Sequence, residues 1–438
     1  MSRADRDSLL GLAASLVAAV VAVTCHRGAR LDVPSAQAGT EKKAVPSART
    51  APRPSAAPAP LASSLPRVLV QEASGLGRFY AALAGLEAKK RTDSVRIVWF
   101  GDSHTAADYL TGAVRRRLEM RFGSGGPGFV RVGASPYRHD GVRVLRDGKW
   151  KLSPEPPARR TLEGDGIFGL GGLLALPTSK EARVEIRVDP KRIHGTIRYD
   201  LVYQAKPGAS FRLTIGKKQE TIDPRTPAER VSESGIVALH REGAPGETFE
   251  IGMPTGEVRF AGLIAESSEP GVVLDTIGID GARVGTVLAW NADAFAKEIA
   301  TRRPELAVVA FGTNEAFDTR SPDAIIGEIG EVVARVRRGA PNADCLVVGP
   351  PDAAQPDLSS LPRVQEMDAA ERRAASQSGC AYFSLFESMG GAGGFVAWMR
   401  ETPPLARADR IHLTLPGYER LGDALAQTLI EGYEEKKP

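Results

Sequence analysis

Residues 95–104 read VRIVWFGDSH, an apolar run that ends in Gly-Asp-Ser-His. A run of this length and composition predicts a buried β-strand over residues 95–100. Gly101 permits a sharp turn after the strand, and the pattern that follows predicts a helix from about Ala106 to Phe122. Ser103 is then left at the mouth of a helix, where the helix dipole and unpaired backbone amides favour developing negative charge.

From Val272 onward, strand patterns alternate with helix patterns. The predicted strands are 272–279, 306–311, 345–348 and 381–385, and the predicted helices are 287–301, 323–338, 361–378 and 415–432. A further helix begins near Ser74. Such βα alternation is typical of a parallel sheet with helices on both faces.

The segment 140–269 has a different character, because short alternating stretches separated by Gly and Pro replace the helical periods. This pattern predicts an antiparallel β-domain. The first α/β strand lies before this block and its partners lie after it. We therefore predict one α/β domain, residues 67–139 and 270–438, interrupted by an inserted β-sandwich at residues 140–269.

The N-terminus has the features of an export signal. Arg3 and Arg6 precede an apolar run over residues 9–23, which suits a signal-peptide core better than a membrane span. Cys25 is a candidate for lipid attachment, although residues 22–24 form a poor lipoprotein processing sequence, and an uncleaved anchor is the alternative. We expect residues 1–32 to be a signal peptide or membrane anchor and the Pro/Ala/Ser-rich residues 33–66 to be a linker. Each alternative predicts an exported protein of the periplasm or cell envelope.

Charge and cysteine content exclude other classes. The chain has 57 basic and 53 acidic residues. Eight of the basic and four of the acidic residues lie in residues 1–66, which leaves 49 of each sign in the remainder. A neutral body without a basic stripe argues against nucleic acid as a partner. Cys345 and Cys380 lack metal-ligand spacing and the six histidines are scattered, so neither a metal nor a cofactor is predicted. These two cysteines begin strands that could be neighbours, which leaves a disulfide open, but two buried free thiols are the favoured expectation.

Two later motifs also carry suitable chemistry. Asn314 follows the strand at 306–311, and its side-chain amide is a suitable donor to a tetrahedral oxyanion. Asp409 and His412 form the chain's only Asp-x-x-His, which supplies a base and the carboxylate that orients it from one short segment. Taken singly, each motif has a simpler interpretation as a helix cap, a βα turn or a surface histidine.

Taken together and in this order, the motifs resemble those of the SGNH/GDSL hydrolase superfamily. The resemblance implies a flavodoxin-like three-layer fold with Ser103 as nucleophile, His412 as base and Asp409 as its orienting carboxylate. It also implies an oxyanion hole formed by the Ser103 amide, the Gly281 amide and the Asn314 side chain. His104 and Glu315 stand where the family pattern has Leu and Asp, and Asp102 is interpreted as a structural turn carboxylate.

The layout narrows the resemblance further. An exported SGNH domain with a β-domain between its first two motifs looks like the peptidoglycan O-acetylesterases, which carry a carbohydrate-binding-like insert; the segment from Met389 to Trp398 adds to the likeness. This similarity implies removal of acetyl groups from cell-wall glycan. Acetylated muramic acid, acetylated xylan-like glycans and other short-chain esters would all suit one small pocket.

Several alternatives stay open at the level of sequence. An O-acetyltransferase would use the same residues with a sugar hydroxyl in place of water. A non-catalytic glycan-binding envelope protein would use the β-domain alone. A lipase is less favoured, because the sequence contains no long apolar lid. The oligomeric state is not predicted.

Overall fold

The computed structural model describes residues 73–134, 137–155, 165–223, 225–228, 230–231 and 235–437. The predictions for residues 1–66, which include the export signal, lipidation at Cys25 and the linker, lie outside these residues. Within them, no helix is long and apolar enough to cross a membrane. The same residues contain no group of three or more His, Cys, Asp or Glu side chains that could hold a metal ion.

The described residues form seventeen strands. In chain order they are β1 (Val95–Gly101), β2 (Gly128–Val130), β3 (Val142–Asp147), β4 (Trp150–Ser153), β5 (Leu174–Pro177), β6 (Arg183–Val188), β7 (Ile197–Ala205), β8 (Ser210–Ile215), β9 (Lys218–Ile222), β10 (Arg230–Val231), β11 (Val237–Gly243), β12 (Thr248–Thr255), β13 (Val258–Ser267), β14 (Val272–Gly278), β15 (Leu306–Ala310), β16 (Asp344–Gly349) and β17 (Ala381–Ser384).

Ten α-helices accompany the strands within the same residues. They are α1 (Gly77–Glu87), α2 (Ser103–Ala106), α3 (Leu110–Phe122), α4 (Val284–Leu288), α5 (Ala292–Arg302), α6 (Pro322–Gly339), α7 (Pro362–Gln377), α8 (Leu385–Ser388), α9 (Gly394–Met399) and α10 (Leu415–Lys436).

Two predicted helices are each broken into two. The helix predicted over 106–122 is interrupted at Asp108, which has a left-handed φ of 50° and whose buried carboxylate pairs with Arg115. The helix predicted over 287–301 is interrupted at Asn291, whose side chain caps α5 by accepting from the backbone amides of Asp293 and Ala294. In both cases a local side-chain contact overrides the helical period of the apolar residues.

Five strands form a parallel sheet in the order β14-β1-β15-β16-β17. Counted along the α/β part of the chain, this is the flavodoxin-like order 2-1-3-4-5, with β1 between β14 and β15. Both faces of β1 are buried, as its apolar run predicts. Val98 and Phe100 pack with α4, α5, α6 and α7, whereas Ile97 and Trp99 pack with α1, α3 and α10.

The remaining strands form two separate antiparallel sheets, and all of these strands except β2 lie within the predicted block of residues 140–269. One has the order β10-β11-β7-β13-β5-β4 with β2 on β13, and the other has the order β3-β6-β12-β8-β9. Their inward side chains share one core, to which Leu201 and Phe260 contribute from the first sheet and Ile186 and Leu213 from the second. β2 is connected to the parallel sheet, because the Phe129 amide donates to the Asp275 carboxylate at 2.8 Å.

The expectation of two free thiols is wrong, because Cys345 and Cys380 form a disulfide. The register of β16 and β17 places Leu346 opposite Ala381. The preceding residues are the two cysteines, and their Cα atoms lie 4.8 Å apart, within the range that a disulfide requires. The pairing therefore follows from strand order, which the two cysteines' sequence positions did not reveal.

Candidate active site

The residues singled out in the sequence gather at the carboxyl edge of the parallel sheet. Ser103 follows β1, Gly281 follows β14 and Asn314 follows β15, and these three strands are neighbours. The loop between α9 and α10 brings Asp409 and His412 to the same edge. Ligand sites of open α/β sheets occupy this edge, where the strand order changes direction.

A hydrogen-bonded chain joins Ser103, His412 and Asp409. The Ser103 Oγ lies 2.9 Å from His412 Nε2, and His412 Nδ1 lies 3.2 Å from an Asp409 carboxylate oxygen. The His412 side chain retains 34% of its exposure, so solvent reaches the imidazole. Chemically, such a chain can remove the hydroxyl proton and stabilise the imidazolium that forms.

The loop around Asp409 holds its carboxylate in one orientation. Oδ1 accepts the backbone amides of Ile411 at 3.0 Å and His412 at 2.8 Å, which turns Oδ2 towards the imidazole. Burial raises the pKa of Asp409, but these amides and the nearby His412 lower it more, so the pKa is below its usual value. Arg410 has a left-handed φ of 66°, which lets the chain turn back between the two residues.

The turn into α2 explains why Ser103 is preceded by Gly-Asp. A Cβ on Gly101 would lie 2.1 Å from Thr105 Oγ1 and 2.6 Å from the Ala310 carbonyl oxygen, so only glycine fits. Asp102 caps α2, since its Oδ1 accepts the His104 amide at 2.9 Å. Burial raises the pKa of Asp102 to about 7. These contacts agree with its interpretation as a turn carboxylate.

The three expected oxyanion donors lie on adjacent loops. Asn314 Nδ2 donates to the Ala282 carbonyl at 2.9 Å, which fixes the amide and leaves its second N–H for another acceptor. Gly281 has a φ of 73°, a conformation that L side chains rarely adopt. Among the described residues, no backbone carbonyl accepts the N–H of Ser103 or of Gly281.

Glu315 positions these loops, a role that the sequence did not reveal. Its buried carboxylate accepts the Val284 amide at 2.7 Å and the Gly312 amide at 3.1 Å. Glu315 therefore ties the loop that carries Gly281 to the loop that carries Asn314. The only available signal was its acidic character directly after Asn314.

Two further titratable side chains near the site, His104 and Glu371, are buried. His104 Nδ1 lies 2.9 Å from the Tyr418 hydroxyl, and its ring centroid lies 5.3 Å from that of His412. Burial, with a smaller effect of His412, lowers the pKa of His104 to about 3, so this imidazole is neutral. Burial also raises the pKa of Glu371 well above its usual value, with Glu315 adding to the effect.

The match to a known protein family lies in the second part of the chain. Residues 245–420 match the GDSL-like Lipase/Acylhydrolase family. That range contains Gly281, Asn314, Asp409 and His412, whereas Ser103 lies before it. No curated protein gives a significant match to the sequence.

The matches to solved structures include one that covers most of the chain. A peptidoglycan O-acetylesterase is 25% identical and matches with a TM-score of 0.69, covering 83% of this chain and 97% of that one. A lipase/acylhydrolase from Enterococcus faecalis is 18% identical, covers 37% of this chain and 76% of that one, and has a TM-score of 0.27. A family two carbohydrate esterase from Cellvibrio japonicus is 10% identical, covers 67% and 98%, and has a TM-score of 0.28. The last two scores are too low to carry an argument.

Proposed function

Since the chain is an SGNH/GDSL-type hydrolase and hence a carboxylic ester hydrolase, we propose that it removes O-acetyl groups from cell-wall glycan with Ser103, His412 and Asp409 as its catalytic triad. The observation that carries this proposal is the 2.9 Å contact between the Ser103 hydroxyl and the His412 imidazole. A serine hydroxyl becomes an effective nucleophile only with such a base beside it.

In the proposed mechanism, His412 Nε2 takes the proton of Ser103 as Oγ attacks the ester carbonyl carbon. The carbonyl oxygen becomes an oxyanion that accepts hydrogen bonds from the Ser103 and Gly281 amides and from Asn314 Nδ2. The C–O bond to the sugar then breaks, and the sugar oxygen takes the proton from His412. Water, deprotonated by the same imidazole, then attacks the acyl-enzyme. The C–Oγ bond breaks, Ser103 Oγ takes the proton back from His412, and acetate is released.

The glycan substrate is proposed from the likeness to a peptidoglycan O-acetylesterase, which extends over 83% of this chain. The match is therefore longer than the α/β part of the chain and extends into the antiparallel sheets. We propose that the antiparallel sheets bind the polysaccharide and that residues 1–32 place the enzyme in the cell envelope.

Hydrolysis is favoured over transfer to a second sugar, because the His412 side chain is 34% exposed and water can reach it. A transferase must keep water away from its acyl-enzyme. Acetate yield with and without added glycan acceptor separates the two reactions.

The test is release of acetate from acetylated peptidoglycan and from acetylated xylan by the wild type and by Ser103→Ala. We expect release from peptidoglycan by the wild type and none above background from the variant. Ser376→Ala, at an exposed position on α7, is the matched control and should behave as the wild type. Full activity in Ser103→Ala would refute the triad, and preference for xylan would refute the cell-wall substrate.

A further inference from the structure

Arg131 is a buried arginine in an unusual electrostatic position. Four arginines are buried within the described residues, and three of them form ion pairs with buried carboxylates. These pairs are Arg96–Glu266 at 2.8 Å, Arg115–Asp108 at 2.9 Å and Arg302–Asp275 at 2.7 Å. Arg131, 9% exposed, forms no ion pair with any carboxylate in the described part of the chain.

The contacts of Arg131 are to neutral groups. Its Nη2 donates to the Gly278 carbonyl at 2.7 Å and to the Gly171 carbonyl at 3.1 Å. Burial lowers the pKa of Arg131, whereas the pKa of each of the three paired arginines is raised. Arginine stays protonated in proteins, so the positive charge of Arg131 is buried here without an ion-paired carboxylate among the described residues.

Part of the guanidinium remains available to a ligand. It carries five N–H donors, and only those of Nη2 are used by the two carbonyls. Nε and Nη1 donate to none of the described residues. The adjacent edge of a guanidinium matches a carboxylate in a two-point hydrogen bond.

The position of Arg131 is next to the candidate active site. Gly278 ends β14 and lies opposite Gly101, two residues before Ser103. A Cβ on Gly278 would lie 2.1 Å from the Ala106 nitrogen, so the strand end is in close contact with α2. The carboxylate of the exposed Asp280 slightly raises the pKa of Asp102 and of Arg131, and it forms no ion pair with Arg131.

We propose that Arg131 binds a carboxylate of the substrate, so that the enzyme selects acetyl esters on glycans that carry a negative charge close to the ester. This inference rests on the proposed function. A bound carboxylate would supply the counter-charge that the other buried arginines have within the protein. The alternative, that Arg131 only ties the residues after β2 to the end of β14, is an outcome of the test.

The test uses two acetylated sugars of the same shape that differ in charge, 6-O-acetyl-N-acetylmuramic acid and its carboxamide. We expect wild-type kcat/KM for the acid to exceed that for the carboxamide by about tenfold or more, as for a charged hydrogen bond in a partly desolvated site. Arg131→Gln should bring this ratio close to one, and Arg131→Lys should retain part of it. Arg146→Gln removes an exposed arginine that also donates to a backbone carbonyl, that of Gly133, and should leave the ratio unchanged.

Binding gives the same comparison without turnover. Calorimetry of Ser103→Ala with N-acetylmuramic acid and with its carboxamide should show tighter binding of the acid, and adding Arg131→Gln should remove the difference. Three outcomes would overturn the proposal. They are a wild-type ratio of kcat/KM for acid over carboxamide near one, equal binding of both sugars, and a ratio that is unchanged in folded Arg131→Gln. Absence of acetate release from both sugars and from acetylated peptidoglycan would instead overturn the proposed function. Circular dichroism establishes folding, and Arg131→Lys carries the comparison if the glutamine variant does not fold.

Discussion

The Ser103 Oγ and the His412 Nε2 lie 2.9 Å apart although 309 residues separate them in the chain. Ser103 lies at the turn after β1. His412 lies in a loop that is held in place because the Arg410 carbonyl accepts a hydrogen bond from the Ala354 amide. The contact therefore depends on the sheet and on two short loops. Variants at this site, and in the structure that supports it, have predictable effects.

Asp409→Asn should lower kcat by roughly 10²- to 10⁴-fold with little change in stability. Since Oδ1 accepts two backbone amides, the asparagine oxygen should keep that position and turn its NH₂ group towards His412 Nδ1. His412 Nδ1 must then accept a hydrogen bond from this NH₂ group, so the ring proton sits on Nε2. Nε2 therefore cannot take a proton from Ser103. Hydrolysis of p-nitrophenyl acetate measures the loss. Asp357→Asn, at an exposed turn carboxylate that also accepts a backbone amide, is the control; equal kcat in both variants would contradict the role of Asp409.

Asn314→Ala should lower kcat and kcat/KM together by about 10²- to 10³-fold, because an oxyanion donor acts mainly in the transition state. Steady-state kinetics on a soluble acetyl ester would show the effect. The control is Asn342→Ala, at an exposed position before β16. A rise in KM with unchanged kcat would show that Asn314 binds substrate and does not stabilise the oxyanion.

Glu371→Gln should make stability less dependent on pH above about 4.5. Burial raises the pKa of Glu371, so the folded state holds a proton that the unfolded state releases, and the free energy of unfolding falls as pH rises. Glutamine has no proton to release, so the decrease between pH 5 and pH 8 should be smaller in the variant. Urea unfolding at several pH values measures it. Glu366→Gln, an exposed position on α7, should follow the wild type; identical pH profiles in all three proteins would contradict the prediction.

Removal of the disulfide by Cys345→Ala with Cys380→Ala should lower the free energy of unfolding by about 2–4 kcal/mol, because the bond closes a loop between residues 35 apart. Thermal unfolding with and without a reductant provides the measurement. The reductant should destabilise the wild type and have no effect on the double variant. A wild type insensitive to reductant after unfolding and refolding would argue against the bond.

The arrangement of strands and helices was largely predictable from local sequence. The apolar run at residues 95–100, the βα alternation after Val272 and the short alternating stretches in 140–269 all correspond to observed elements, because side-chain periodicity reports burial directly. The two broken helices were missed, since the contacts of Asp108 and Asn291 act over a few residues and leave the apolar period unchanged.

By itself, the sequence determined that Ser103, Asn314, Asp409 and His412 follow buried strands or precede a helix, because periodicity and turn residues act locally along the chain. Tertiary structure alone decided which of these ends meet, and it also paired Cys345 with Cys380 and joined two loops through Glu315. It left Arg131 without an ion pair to any carboxylate in the described part of the chain. These features depend on strand order and on contacts between residues far apart in the chain. Their energies come from burial and charge in three dimensions, which a linear pattern does not contain.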